Sequence, residues 1–121
     1  NRSRELSDAL RRRCLYVWIE YPSFEKEVRI VLTKVPGVNE RLARQISKFM
    51  ESARAARLSK APGVAETLDW ARALSALHAD HLDEGLVRET LGCILKDSDD
   101  LKRFGNELGA SGLGRFLPLD E

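Results

Sequence analysis

The sequence predicts a mainly α-helical fold, a bundle of helices preceded by one short helix and one strand, and three observations carry that prediction. From Pro22 onward apolar residues recur at three- and four-residue spacing, the signature of amphipathic helices. Pro36-Gly37 and Pro62-Gly63 punctuate these stretches, and Ser23, Asn39 and Asp83 stand just ahead of them as N-cap residues. Only one stretch, Leu15-Tyr16-Val17-Trp18-Ile19, has the composition of a strand.

Taken in order, Ser3 to Arg12 reads as a short helix, with Leu6, Ala9, Leu10 and Arg13 near one face. It ends in Arg11-Arg12-Arg13-Cys14 and runs straight into the strand at 15–19. That strand is apolar on both faces and expects cover on both, as in a parallel α/β sheet. No second strand follows, so the expected sheet partners lie upstream of Asn1 in a longer protein. A core strand stripped of its sheet is a pairing hazard, so self-association through residues 15–19 is expected.

A helix is predicted from Ser23 to about Lys34, with Phe24, Val28, Val31 and Val35 on one face. The next, capped by Asn39, carries Leu42, Ile46, Phe49, Met50 and Ala53 and runs to about Leu58. The third, about Ala65 to His78, has Leu68, Trp70, Ala71, Ala73, Leu74 and Leu77 around more than half its circumference, and is expected to be the most buried. Asp83 caps a fourth with Leu86, Val87, Leu91, Ile94 and Leu95 as its stripe, and a shorter fifth starts at Ser98 with Leu101, Phe104 and Leu108 inward. The glycine-rich end, 109–121, is expected to be a flexible tail.

The length of 121 residues suits one compact domain. The net charge of +1 hides an asymmetry: residues 1–60 hold 14 Lys and Arg against 7 Asp and Glu, net +7, and residues 61–121 hold 6 against 12, net −6. A polyanionic partner for the first half, or head-to-tail packing of copies, fits such a distribution. Cys14 and Cys93 lie far apart with no C-x-x-C spacing, which argues against a disulfide framework or zinc site and for a reduced, cytoplasmic protein. No apolar run approaches the ~20 residues of a membrane span.

The triple arginine has two readings. It is a solvated helix end, where cations complement the negative pole of the helix dipole, or a set of fixed cations that hold a phosphate. His78 and His81 form an H-x-x-H pair without a third ligand of fixed geometry, so surface histidines are expected there. Trp18, Trp70, Phe24 and Phe49 fall in apolar patterns and read as core. Cys14 and Cys93 read as small buried residues.

Asn1 together with Leu6-Ser7-Asp8-Ala9-Leu10-Arg11-Arg12-Arg13-Cys14 and the following strand resembles the second half of an AAA+ ATPase core, most closely the MoxR-like branch. That family has a sensor 1 Asn or Thr at a strand end and a helix patterned Leu-Pro-Glu-Ala-x-x-x-Arg, matched here by Asn1 and by Leu6, Ser7, Asp8, Ala9 and Arg13. Arg13-Cys14 is also similar to the Ser-Arg-Cys signature of clamp-loader subunits. The resemblance implies a core remnant at 1–21 and a helical lid at 22–108. It implies Arg13 as an arginine finger on a neighbouring subunit's ATP, with Arg12 as its rival, and Asn1 as the residue at the γ-phosphate or attacking water. The family's sensor 2 arginine has no counterpart in Gly63-Val64-Ala65-Glu66-Thr67, and Arg72, more than a turn later, takes that role only with the helix rotated or shifted.

By the same resemblance the whole protein uses ATP and Mg²⁺, assembles as a homo-oligomeric ring, a hexamer, and remodels or matures client proteins. These 121 residues hold no G-x-x-x-x-G-K-[ST] loop and no strand ending in paired acids, so they are expected neither to bind nor to hydrolyse ATP alone. A different class of function is a freestanding helical module that binds nucleic acid or an acidic protein through its basic first half. The absence of a helix-turn-helix pattern and of interleaved exposed aromatics counts against nucleic acid.

Overall fold

The computed structural model describes residues 21–56 and 58–111. Ser23 opens the first helix, α1 (Phe24–Lys34), by accepting the Lys26 N–H at Oγ, 3.3 Å away, which satisfies one of the donors a helix start leaves free. Glu25 and Glu27 sit in the first turn and Lys34 in the last, each sign where the helix dipole favours it. Val28 and Val31 are buried, and the chain leaves the helix at Val35, whose φ −129° and ψ 83° lie outside the helical region that the following proline disfavours.

Asn39 caps α2 (Glu40–Ala55) through Oδ1, which accepts the Leu42 N–H at 2.7 Å, and ties that helix start to a distant loop through Nδ2, which donates to the Asp80 carbonyl at 3.2 Å. Leu42, Ala43, Ile46, Phe49, Met50 and Ala53 are all fully buried, the stripe the spacing predicts. α3 (Val64–Ala76) starts at Gly63, whose N–H is taken by the Glu66 carboxylate at 2.8 Å and whose carbonyl accepts the Thr67 N–H. Gly37 lets the preceding turn lie against this helix, since a Cβ there would land on the Ser75 hydroxyl.

Two expectations about α3 are corrected. The helix stops at Ala76, because His78 turns the chain with φ 59° in a Schellman arrangement: Ala79 N–H reaches the Leu74 carbonyl and His78 N–H the Ser75 carbonyl. Leu77 therefore faces outward, 56% exposed, and is not part of the apolar face. Nor is α3 the most buried helix. Eight residues of α2 are buried against four of α3, and the contact of α2 with α1 is the most extensive between any two helices.

Asp83 caps α4 (Glu84–Thr90) through Leu86 N–H, and the chain then tightens into a 3₁₀ turn, Leu91–Cys93. The expected apolar stripe is divided between these pieces, yet Val87, Leu91, Ile94 and Leu95 are all buried. Asp97 accepts the N–H groups of Asp99 and Asp100 and opens α5 (Ser98–Ser111). This helix runs three residues into the stretch expected as tail. Phe104 brings α5 to the core, where Phe49 meets the Trp70 ring edge-on at 5.2 Å and the Phe104 ring at 5.5 Å. Two buried polar pairs tie the core together: Trp70 Nε1 donates to Thr90 Oγ1 and Leu82 N–H to Gln45 Oε1, both at 2.7 Å.

The described residues are mainly helical and contain no strand, as a helical bundle requires. None of their helices is long and apolar enough to cross a membrane. The expected helix at 3–12, the strand at 15–19 and Trp18 and Cys14 lie outside the described residues.

Candidate functional site

Asn1, Arg12 and Arg13, the first three sequence-predicted site residues, lie outside the described residues. Arg72 is on the outer face of α3, 56% exposed, with Nη1 3.6 Å from Asp69 Oδ1 one turn back. Such an exposed pair contributes little to stability. The start of α3, where the resemblance would place a phosphate-binding arginine, is occupied otherwise: Glu66 holds the Gly63 N–H, and Thr67 is buried.

What reaches that helix start is Arg54, from the last turn of α2, in a cluster that neither composition nor spacing singled out. Its Nη1 donates to Glu27 Oε1 at 2.7 Å and its Nη2 to Glu27 Oε2 at 2.9 Å, a two-bonded fork of the kind a planar guanidinium favours. Nη2 also donates to Thr67 Oγ1 at 3.1 Å and Nε to the Pro62 carbonyl at 2.9 Å. The Thr67 hydroxyl lies 2.7 Å from Glu27 Oε2 and 3.1 Å from the Gly63 carbonyl, and donates to one of them. The side chains are 8% exposed for Arg54 and 2% for Glu27. One residue from each of α1, α2 and α3 is thus joined in one buried network, and Tyr21 lays its ring over the guanidinium at 4.5 Å.

In front of the cluster lies a cleft of about 150 Å³ lined by Tyr21, Pro22, Phe24, Glu27, Ser47, Glu51 and Arg54. Phe24 carries a second cation on its face, Arg44 at 5.1 Å, which also reaches Glu25. With Arg54 committed to Glu27, these residues do not form a phosphate cradle.

Two carboxylates elsewhere are held below their ordinary range. Burial alone would raise the Asp100 carboxyl, but the N–H groups of Ser59 and Lys60, both at 2.9 Å, and nearby Arg103 outweigh it and lower it. Asp80 is lowered by the hydrogen bond and charge of His81, 2.6 Å away at the surface, with a smaller contribution from Arg41. Among the described residues no three His, Cys, Asp or Glu side chains come together as a metal site. Cys93 is a half-buried free thiol against the core.

Comparison of the chain with protein families, curated proteins and solved structures gives no match.

A sequence signal for the cluster does exist. Glu27 is three residues after Phe24 and four before Val31, so it falls on the apolar face of α1, and Thr67 stands likewise before Trp70 and Ala71. A charged residue on an apolar face needs a buried partner, and Arg54, beside Ala53, is on the facing helix.

Proposed function

We propose that this chain is the C-terminal part of a MoxR-like AAA+ ATPase, a core remnant at 1–21 followed by a helical lid, and that the whole protein is a cytoplasmic ring coupling ATP hydrolysis to remodelling of client proteins. The observation that carries the reading is the place of the helical unit: it begins at Ser23, directly behind the Leu-Ser-Asp-Ala-x-x-x-Arg stretch and the apolar run that the family pattern puts before its lid. The buried link among Glu27, Arg54 and Thr67 supports it, because a lid that transmits nucleotide state must turn as one body. Arg13 is the proposed finger toward a neighbour's nucleotide, Arg12 its rival, Asn1 the sensor, and Arg72 the exposed lid cation nearest that role.

The test is ATP turnover by the native protein purified from its own cells. Arg13→Ala should lower turnover by about 10³- to 10⁵-fold, the effect of removing a finger supplied in trans. Turnover unchanged in both Arg13→Ala and Arg12→Ala, or no turnover by the native protein, would contradict the proposal. A second reading, a module for nucleic acid or an acidic protein, draws on the exposed Lys26, Arg29, Lys34 and Arg41. Arg44 and Lys48 are matched by Glu25 and Glu51, which shortens that basic stripe. It predicts DNA binding that falls steeply with salt and is lost when Arg11, Arg12 and Arg13 are replaced together.

A further inference from the structure

Gln45 is 3% exposed on α2, and only half of its side-chain amide is engaged. Oε1 accepts the Leu82 N–H at 2.7 Å, and because a backbone N–H can meet only the oxygen, this bond fixes which way round the amide lies. Nε2 donates to no group among the described residues. Nor is it sealed in: among those residues Ser47 Oγ is the one buried side-chain polar atom that is both unpartnered and closed to solvent. The nitrogen therefore opens on the cleft that Gln45 lines with Glu40, Arg41 and Arg44, a space of about 250 Å³. These four are neighbours because positions three and four apart share a helix face. A mostly buried donor that meets no protein acceptor is satisfied by whatever enters the cleft.

The charges around it select the occupant. Arg44 is met by Glu25 at 3.4 Å and by the face of Phe24. Asp80, whose carboxylate feels the Arg41 charge, is bonded to His81 at 2.6 Å. Arg41 and Glu40 are left over: both are exposed, and neither side chain has an ion pair or hydrogen bond among the described residues. A simple anion would be repelled by Glu40 and a simple cation by Arg41. One unmatched cation, one unmatched anion and one free amide donor match a ligand that carries a carboxylate and an ammonium on the same carbon. The volume, below the ~300–1,000 Å³ of sites for drug-sized ligands, suits so small a molecule.

We propose that this cleft binds a free α-amino acid, its carboxylate accepting from Gln45 Nε2 and the Arg41 guanidinium and its ammonium donating to the Glu40 carboxylate. The proposal does not rest on the ATPase reading.

The test is a titration of the ¹⁵N-labelled full chain with L-alanine at neutral pH, followed by amide chemical shifts. Saturable shifts at 40–45 with a Kd of about 1–10 mM are expected, the range open to a ligand so small. N-acetyl-L-alanine, which lacks the ammonium, and L-alaninamide, which lacks the carboxylate, should each bind at least tenfold more weakly. Arg41→Ala, an exposed change that leaves the fold intact, should weaken L-alanine about tenfold. Glu40→Gln, equally exposed, should do the same and remove the preference for L-alanine over N-acetyl-L-alanine. Gln45→Glu keeps the oxygen that the Leu82 N–H meets but replaces the donor, and should weaken L-alanine at least tenfold. No saturation, binding of either blocked analogue as tight as that of L-alanine, or an affinity untouched by Arg41→Ala and Glu40→Gln would overturn the proposal.

Discussion

Glu27→Gln is the substitution that tests the structural reading most severely. The glutamine keeps the shape of the side chain but removes the charge that two Arg54 bonds and the Thr67 hydroxyl meet at 2.7–2.9 Å. Arg54, 8% exposed, would then be a buried cation with only the Pro62 carbonyl and neutral oxygens around it. Breaking a buried pair from one side costs about 3–5 kcal/mol, against a total stability of ~5–15 kcal/mol for a domain. At ~4–8 °C per kcal/mol for a domain of about this size, Tm should fall by roughly 12–40 °C. Replacing both partners, Glu27→Met with Arg54→Met, should cost far less than the two single changes together, since two apolar groups leave no stranded charge. Urea unfolding followed by circular dichroism measures all four corners of that cycle. A Glu27→Gln loss under ~1 kcal/mol, or a double variant as unstable as the sum of the singles, would refute the reasoning.

Three further outcomes are expected from stability measurements. His78→Gly should stabilise the chain by about 1 kcal/mol, because His78 holds φ 59° at the end of α3, where glycine carries no Cβ penalty; a loss in thermal denaturation would contradict the turn described. Thr90→Val should cost about 1–3 kcal/mol in urea unfolding, since it strands the buried Trp70 Nε1–H, and Trp70→Phe in that background should recover part of the loss. Asp100 contributes stability that is full above its ordinary carboxyl value of 3.8 and lost as pH falls through its lower folded value. Asp100→Asn should therefore lower Tm at neutral pH, and the gap to the unsubstituted chain should close in acid below 3.8; a gap independent of pH would contradict this.

The parts of the fold legible in the sequence are those decided locally. Ser23, Asn39 and Asp83 cap their helices because a cap needs only its own next turn. The apolar faces of α1 and α2 follow likewise from spacing alone. Where a helix ends is less local: the α3 stop depends on His78 adopting a backbone conformation that glycine normally supplies. The relative burial of α2 and α3 is not legible in composition, where Trp70 and its leucines weigh heavily, because burial depends on how broadly a helix is covered and not on how apolar it is. α2 makes the most extensive helix contact of the fold, with α1, and buries even Gln45 and Ser47. The Glu27–Arg54 pair spans 27 residues, and charges are read as surface by default. The arginines at 11–13 form a run that stands out in the sequence, while Arg54, a lone cation near a helix end, belongs to no motif.

The central claim, that this helical unit is the lid of an ATPase, is tested most directly by the intact mass and N-terminal peptides of the native protein from its own cells. The account predicts about two hundred residues ahead of Asn1, the size of an α/β nucleotide-binding core, with a G-x-x-x-x-G-K-[ST] loop and a strand ending in paired acids. A native chain that begins near Asn1 would contradict it, and would leave Arg11, Arg12 and Arg13 as a binding patch on a freestanding helical module.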